Sequence, residues 1–181
     1  YSRIIQTFLL LVLFLALYYL LQRFLPKLVA VFILTFAAFD PFYLSQTRLM
    51  NHEGMVSLFV LVSLTAFAVY LFKDRRILFL LLSGVAAAFA QLSKSSAIAM
   101  LAALGVMLLV QVIQERQLGW GKAILNGVKL FAIWLAFLVA AYFIFWPGMW
   151  VAPGKMLYQV YGNAFSYAFQ GARLTITEEL Q

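Results

Sequence analysis

The chain has no cysteine, one histidine and only six acidic residues among 181. Each shortage excludes something. Without thiols there are no disulfides and no thiolate metal sites, and the redox compartment leaves no trace. A lone His52 beside Glu53 falls short of the three or four protein ligands that zinc takes. No residue set is therefore assigned to a metal, and the cofactor stays unknown, with a divalent metal left open. Charged residues make up 10% of the chain, against about 25% in a soluble domain. That scarcity excludes an ordinary water-soluble fold.

What is present is apolar: 66% of the residues are hydrophobic, including 18 Phe and 9 Tyr. A membrane span needs roughly 20 mostly apolar residues to cross a hydrocarbon core about 30 Å thick. Stretches of that kind run over residues 4–21, 24–39, 55–72, 77–92, 97–113 and 130–145, divided by short polar clusters. The expected fold is thus all-α, a polytopic transmembrane helical bundle of about six spans occupying residues 1–150. Residues 151–181 read differently. Leu157, Val160, Tyr161, Ala164, Phe165, Ala168 and Phe169 form one stripe at helical spacing, with Gln159, Asn163, Ser166 and Gln170 opposite. This predicts an amphipathic helix in the interface, either a surface anchor or the roof of a cavity. Tyr1-Ser2-Arg3 offers no initiator methionine and leads straight into an apolar run. The expectation is a piece of a longer protein.

The net charge of +7 lies between the spans rather than on one soluble face, so nucleic acid is not an expected partner. Arg23, Lys27, Lys73, Arg75, Arg76, Arg116, Lys122 and Lys129 fall on one side of the alternating spans. Arg3, Arg48, Lys94, Lys155 and Arg173 fall on the other. Short loops rich in Lys and Arg stay in the cytoplasm. The second group is therefore expected outside, together with Asp40, His52 and Glu53.

Polar groups near bilayer depth are costly and tend to mark function, but each has a plain alternative. Glu53 suits the first turn of the span it opens. Arg48 stands five residues before it, within reach of Glu53 or of a lipid phosphate. Lys94 sits in a tight Ser-Lys-Ser turn and can simply snorkel. Asp40-Pro41 makes a natural turn between spans.

These residues also carry a resemblance. The segment Phe39-Asp40-Pro41-Phe42-Tyr43-Leu44-Ser45-Gln46-Thr47-Arg48-Leu49-Met50-Asn51-His52-Glu53-Gly54 is similar to the second outer loop of the GT-C glycosyltransferases. Residues 82–97, small-residue rich and ending in the Ser93-Lys94 turn, resemble a later span of that class. Trp146-Pro147-Gly148-Met149-Trp150-Val151-Ala152-Pro153 resembles the next outer loop. Together they are closest to the bacterial and archaeal branch of the dolichyl-phosphate-mannose protein mannosyltransferase family.

The resemblance implies a GT-C-type fold in the plasma (inner) membrane of a prokaryote. Its implied activity moves a sugar from a polyprenyl-phosphate carrier to an acceptor on the non-cytoplasmic side. The implied partners are membrane lipids and the lipid-linked sugar donor, with other membrane subunits as a further option. Glu53 matches the second acidic position and is the catalytic candidate. Arg48 and Lys94 match the lipid-phosphate side, and His52 and Asp40 would give support. No counterpart of the family's first outer loop, which carries its principal acid, is found here. Gln170-Gly171-Ala172 stands where relatives place a Gly-His pair. The alternative is a non-catalytic integral membrane subunit of a larger complex. A transporter is disfavoured, since no Gly/Pro-broken helix pair recurs in two halves.

Overall fold

The computed structural model describes residues 2–48 and 52–162, and no strand occurs among them. The chain divides into two compact units, Tyr1–Tyr142 and Phe143–Gln181. In the first unit α1 (Ser2–Leu21) and α2 (Lys27–Ala38) are followed by α3 (Pro41–Arg48), α4 (His52–Phe72) and α5 (Ile77–Ser93). A 3-10 turn at Ser95–Ala99 leads into α6 (Met100–Gln114). A second such turn, Glu115–Leu118, leads into α7 (Trp120–Phe145), whose last residues belong to the second unit.

Among the described residues four helical stretches are long and apolar enough to cross a membrane: Arg3–Leu21, Glu53–Phe72, Ser95–Gln117 and Trp120–Phe145. The chain is an integral membrane protein. The count rises to five if α2 and α3, bent by 62° at their break, form one broken span. α2 alone has 12 residues, about 18 Å at 1.5 Å per residue, and is too short to span. α5 has 17 residues, at the lower limit of a span.

Several boundaries differ from the sequence expectation. The polar stretch after Asp40 is helical, because Asp40 caps α3 and Pro41 takes its first position, where a missing N–H costs nothing. Asp40 is thus a helix start rather than a simple turn. α7 begins at Trp120 instead of Leu130 and carries Lys122 and Lys129 within it. Long basic side chains can leave a helix end for water while their stems stay apolar. In the second unit the described part of the expected amphipathic helix, from Lys155 to Gly162, is helical and is preceded by a separate short helix. Gly148–Val151 (α8) is that short helix, and after Ala152 Pro153–Leu157 (α9) continues directly into a π-helical segment at Tyr158–Gly162. The rest of the apolar stripe, including Phe165 and Phe169, lies outside the described residues.

α4 is the centre of the first unit. Val56, Leu58, Phe59, Val62, Ala66, Phe67, Val69 and Leu71 along it are all buried, as befits a helix apolar on every side. α5 packs against it, and Ala86, Ala87, Ala88 and Ala90 of α5 are all buried; small residues let helices in a membrane approach closely. On α5's far side Gly84 meets α7. A Cβ there would lie 2.7 Å from Phe137 Cβ and 3.1 Å from the Trp134 carbonyl oxygen. The three helices are also joined by polar groups. The fully buried Ser63 hydroxyl donates to the Ser83 carbonyl at 2.8 Å, and Trp134 Nε1 donates to Ser83 Oγ at 2.9 Å. Without water, polar side chains here must find each other, which fixes helix register.

Candidate functional site at the Glu53 end of the bundle

Alternation of the helices brings the start of α1, all of α3, the start of α4 and the α5–α6 junction to one end. Asp40 Oδ1 accepts the Tyr43 N–H at 2.8 Å and so starts α3. α3 then folds back on α4. The Tyr43 hydroxyl donates to the Gly54 carbonyl at 3.1 Å, and Gln6 Nε2 on α1 donates to the Thr47 carbonyl at 3.3 Å. Gly54 permits that approach, since a Cβ would stand 2.8 Å from Thr47 Cγ2. Phe14 of α1 meets the Tyr43 ring edge-on at 6.0 Å.

The resulting angle between α3 and α4 encloses an open cavity of about 470 Å³. Asp40, Tyr43, Gln46, Glu53 and Ser57 contribute polar groups to it, while Phe14, Phe42, Leu58 and Leu61 supply an apolar wall. The cavity is polar near the Glu53 carboxylate and apolar along the helices.

Lys94 lies at the break between α5 and the 3-10 turn, with extended backbone (φ −158°, ψ 129°). That extension separates it from both helices. Its ammonium donates to Glu53 Oε1 in an ion pair linking residues 41 apart, each side chain 44% exposed. Glu53 is also in the first turn of α4, where the helix dipole favours a negative charge. The pair therefore has a local reason to form and remains open to solvent.

Of the sequence candidates, the structure brings Glu53, Lys94 and Asp40 to this end. Asp40 and Glu53 line the same cavity. Arg48 ends α3 and His52 begins α4, but their side chains lie outside the described residues. Among the described residues no three of His, Asp and Glu gather as a metal site. Tyr43, Gly54 and Ser57 were not singled out by the sequence. The Asp-Pro start of α3 is the signal that would have found Tyr43, because it places that residue in the first turn of a helix.

The sequence profile of the dolichyl-phosphate-mannose-protein mannosyltransferase family matches residues 2–146. The chain belongs to that family. The match covers the whole Glu53 end, including the helices that carry Asp40, Glu53 and Lys94. Its family-level function is that of a membrane glycosyltransferase of the mannosyltransferase type. No curated protein and no solved structure gives a significant match.

Proposed function

We propose that the Glu53 end forms part of a glycosyl-transfer site that uses a polyprenyl-phosphate sugar and faces the non-cytoplasmic side of a prokaryotic plasma membrane. The observation that carries this reading is the Glu53–Lys94 pair at the rim of a largely apolar cavity, within the segment matched by the family. In the transfer, an acceptor hydroxyl oxygen bonds to the anomeric carbon and the bond from that carbon to the phosphate oxygen breaks. The electron pair leaves with the phosphate, and the hydroxyl proton passes to a base.

An alcohol needs its proton removed in the transition state, and the departing phosphate gains charge that a fixed cation stabilises. Lys94 supplies that cation, with Arg48 as a second phosphate-side group. Glu53 supplies negative charge that orients Lys94 and accepts hydrogen bonds from the sugar or acceptor. Asp40 lines the cavity beside Glu53, and His52 is a further supporting candidate. The apolar wall takes the first isoprene units, leaving the phosphate at the polar rim.

The test is Glu53→Gln in the complete protein. Gln keeps the size and much of the hydrogen bonding, so folding and thermal stability stay near those of the unmodified protein. Sugar transfer from a polyprenyl-phosphate donor falls by about 10²–10³, the usual loss for an electrostatic catalytic contact. Transfer within about threefold of the unmodified protein, well short of that loss, would reduce Glu53 to a helix-start residue.

A further inference from the structure

The opposite end of the bundle carries a second polar recess. It lies between the end of α4, the end of α6 and the start of α7. Its volume is about 270 Å³, and Tyr70, Arg75, Gln111, Glu115, Asn126 and Lys129 line it. One edge is apolar, where Leu130 and Ile133 continue along α7. Ile133 is 44% exposed, so the recess opens sideways onto the surface that meets lipid.

Charge in the recess is unbalanced. Glu115 is fully engaged: Gln111 Nε2 donates to one oxygen, Asn126 Nδ2 donates to the other at 3.2 Å, and Arg75 stands 3.7 Å away. The almost fully buried Gln111 in turn accepts from Arg75 at 3.0 Å. Lys129 has no acidic partner among the described residues. Lys122, seven residues earlier on α7, falls on the same helical face and adds a second positive charge. Two cations thus meet one already satisfied acid inside the recess, with a third cation beside it.

We propose that this recess binds the headgroup of an anionic phospholipid. Its phosphate lies against Lys129 and Arg75, its polar headgroup meets Asn126 and Tyr70, and an acyl chain runs along Leu130 and Ile133. Basic recesses between membrane helices suit such headgroups, and the apolar edge distinguishes a lipid from free phosphate. The network of Arg75, Gln111, Glu115 and Asn126 holds the walls in place without neutralising Lys129.

The test is native mass spectrometry of the detergent-purified protein titrated with dioleoyl phosphatidylglycerol or dioleoyl phosphatidylcholine, which share their chains. Phosphatidylglycerol binds several-fold more tightly. Lys129→Gln weakens it about fivefold, the equivalent of ~1 kcal/mol per basic residue at an anionic lipid surface, and weakens phosphatidylcholine less, because its choline cation already offsets the phosphate. Lys27→Gln, on α2, changes neither and controls for net charge. Equal affinity for the two lipids, or a Lys129→Gln variant that keeps its preference, would overturn the proposal. Displacement of phosphatidylglycerol by inorganic phosphate, beyond that caused by chloride at equal ionic strength, would make this a free-anion site instead.

Discussion

The two ends of the helical bundle hold charge in opposite ways. At the Arg75 end each acid is shared. Asp74 lies 3.3 Å from Arg76 and 3.8 Å from Arg23, and Glu115 answers Gln111, Asn126 and Arg75 together. Two of the basic groups there also rest on rings, Arg23 4.9 Å from the Tyr19 centroid and Arg75 5.5 Å from that of Tyr70. At the Glu53 end one carboxylate meets one ammonium, both 44% exposed, beside an open cavity. A charge with many partners fastens helices. A charge with one solvent-accessible partner can change that partner when a ligand arrives.

The largest expected effect tests this difference directly. Lys94→Gln lowers sugar transfer by about 10²-fold or more, because a cation facing the leaving phosphate acts mainly in the transition state. Arg76→Gln at the other end leaves transfer within about threefold of the unmodified protein, far from that loss. Steady-state rates with a polyprenyl-phosphate sugar compare the two. Equal losses would erase the functional distinction between the ends, and no transfer by the unmodified protein would favour a non-catalytic membrane subunit.

Much of this contrast is legible in the sequence, for a physical reason. Apolar length fixes where helices cross, and alternation then assigns Glu53 and Lys94 to one face although 41 residues separate them. The ring-and-carboxylate network at the other end is harder to see. Lys122, Asn126 and Lys129 read as loop because polar residues rarely lie within a span, yet they occupy the first turns of α7. The contact of Trp134 with Ser83 is equally hidden, since it depends on which faces of α5 and α7 meet. The α3 helix was masked by its polar composition, despite the Asp40-Pro41 start that marks it.

The next effect concerns the middle of the bundle, on which both ends depend. Gly84→Ala forces a methyl group against Phe137 and the α7 backbone. The cost is about 1–3 kcal/mol, as for other overpacked cores. Thermal unfolding in detergent reads it, and the loss exceeds that of Gly105→Ala, where an added Cβ meets nothing within 4 Å. Equal losses at the two glycines would mean that α5 and α7 are not packed as described.

A smaller effect separates the cavity from its charges. Tyr43→Phe removes the hydroxyl that ties α3 to the Gly54 carbonyl but keeps the ring against Phe14. The expected destabilisation is about 0.5–1.5 kcal/mol, the net worth of one hydrogen bond. Hydrogen exchange localises it to α3 and the first turn of α4. Uniform loosening of the whole unit would show that α3 is not held by this contact.

The smallest effect falls on the end with the most ion pairs. Asp74→Asn removes the negative charge shared by Arg23 and Arg76 at the α4–α5 turn. Partly exposed pairs of this kind contribute roughly 0.2–1 kcal/mol, and two factors keep the loss low. Arg76 is 74% exposed and already screened by solvent. Arg23 retains its contacts with the Tyr19 and Phe79 rings, 4.9 and 5.5 Å from their centroids, and such contacts are worth about 0.5–1 kcal/mol at exposed sites. The loss should shrink further as salt is raised, because the Debye length falls from about 10 Å at 0.1 M to about 3 Å at 1 M. Melting temperatures of both proteins at the two salt concentrations test this. A large loss that salt does not diminish would mean that Asp74 fastens the helices through something other than its charge. The contrast between a shared charge and a single open pair would then lose its electrostatic basis at this end.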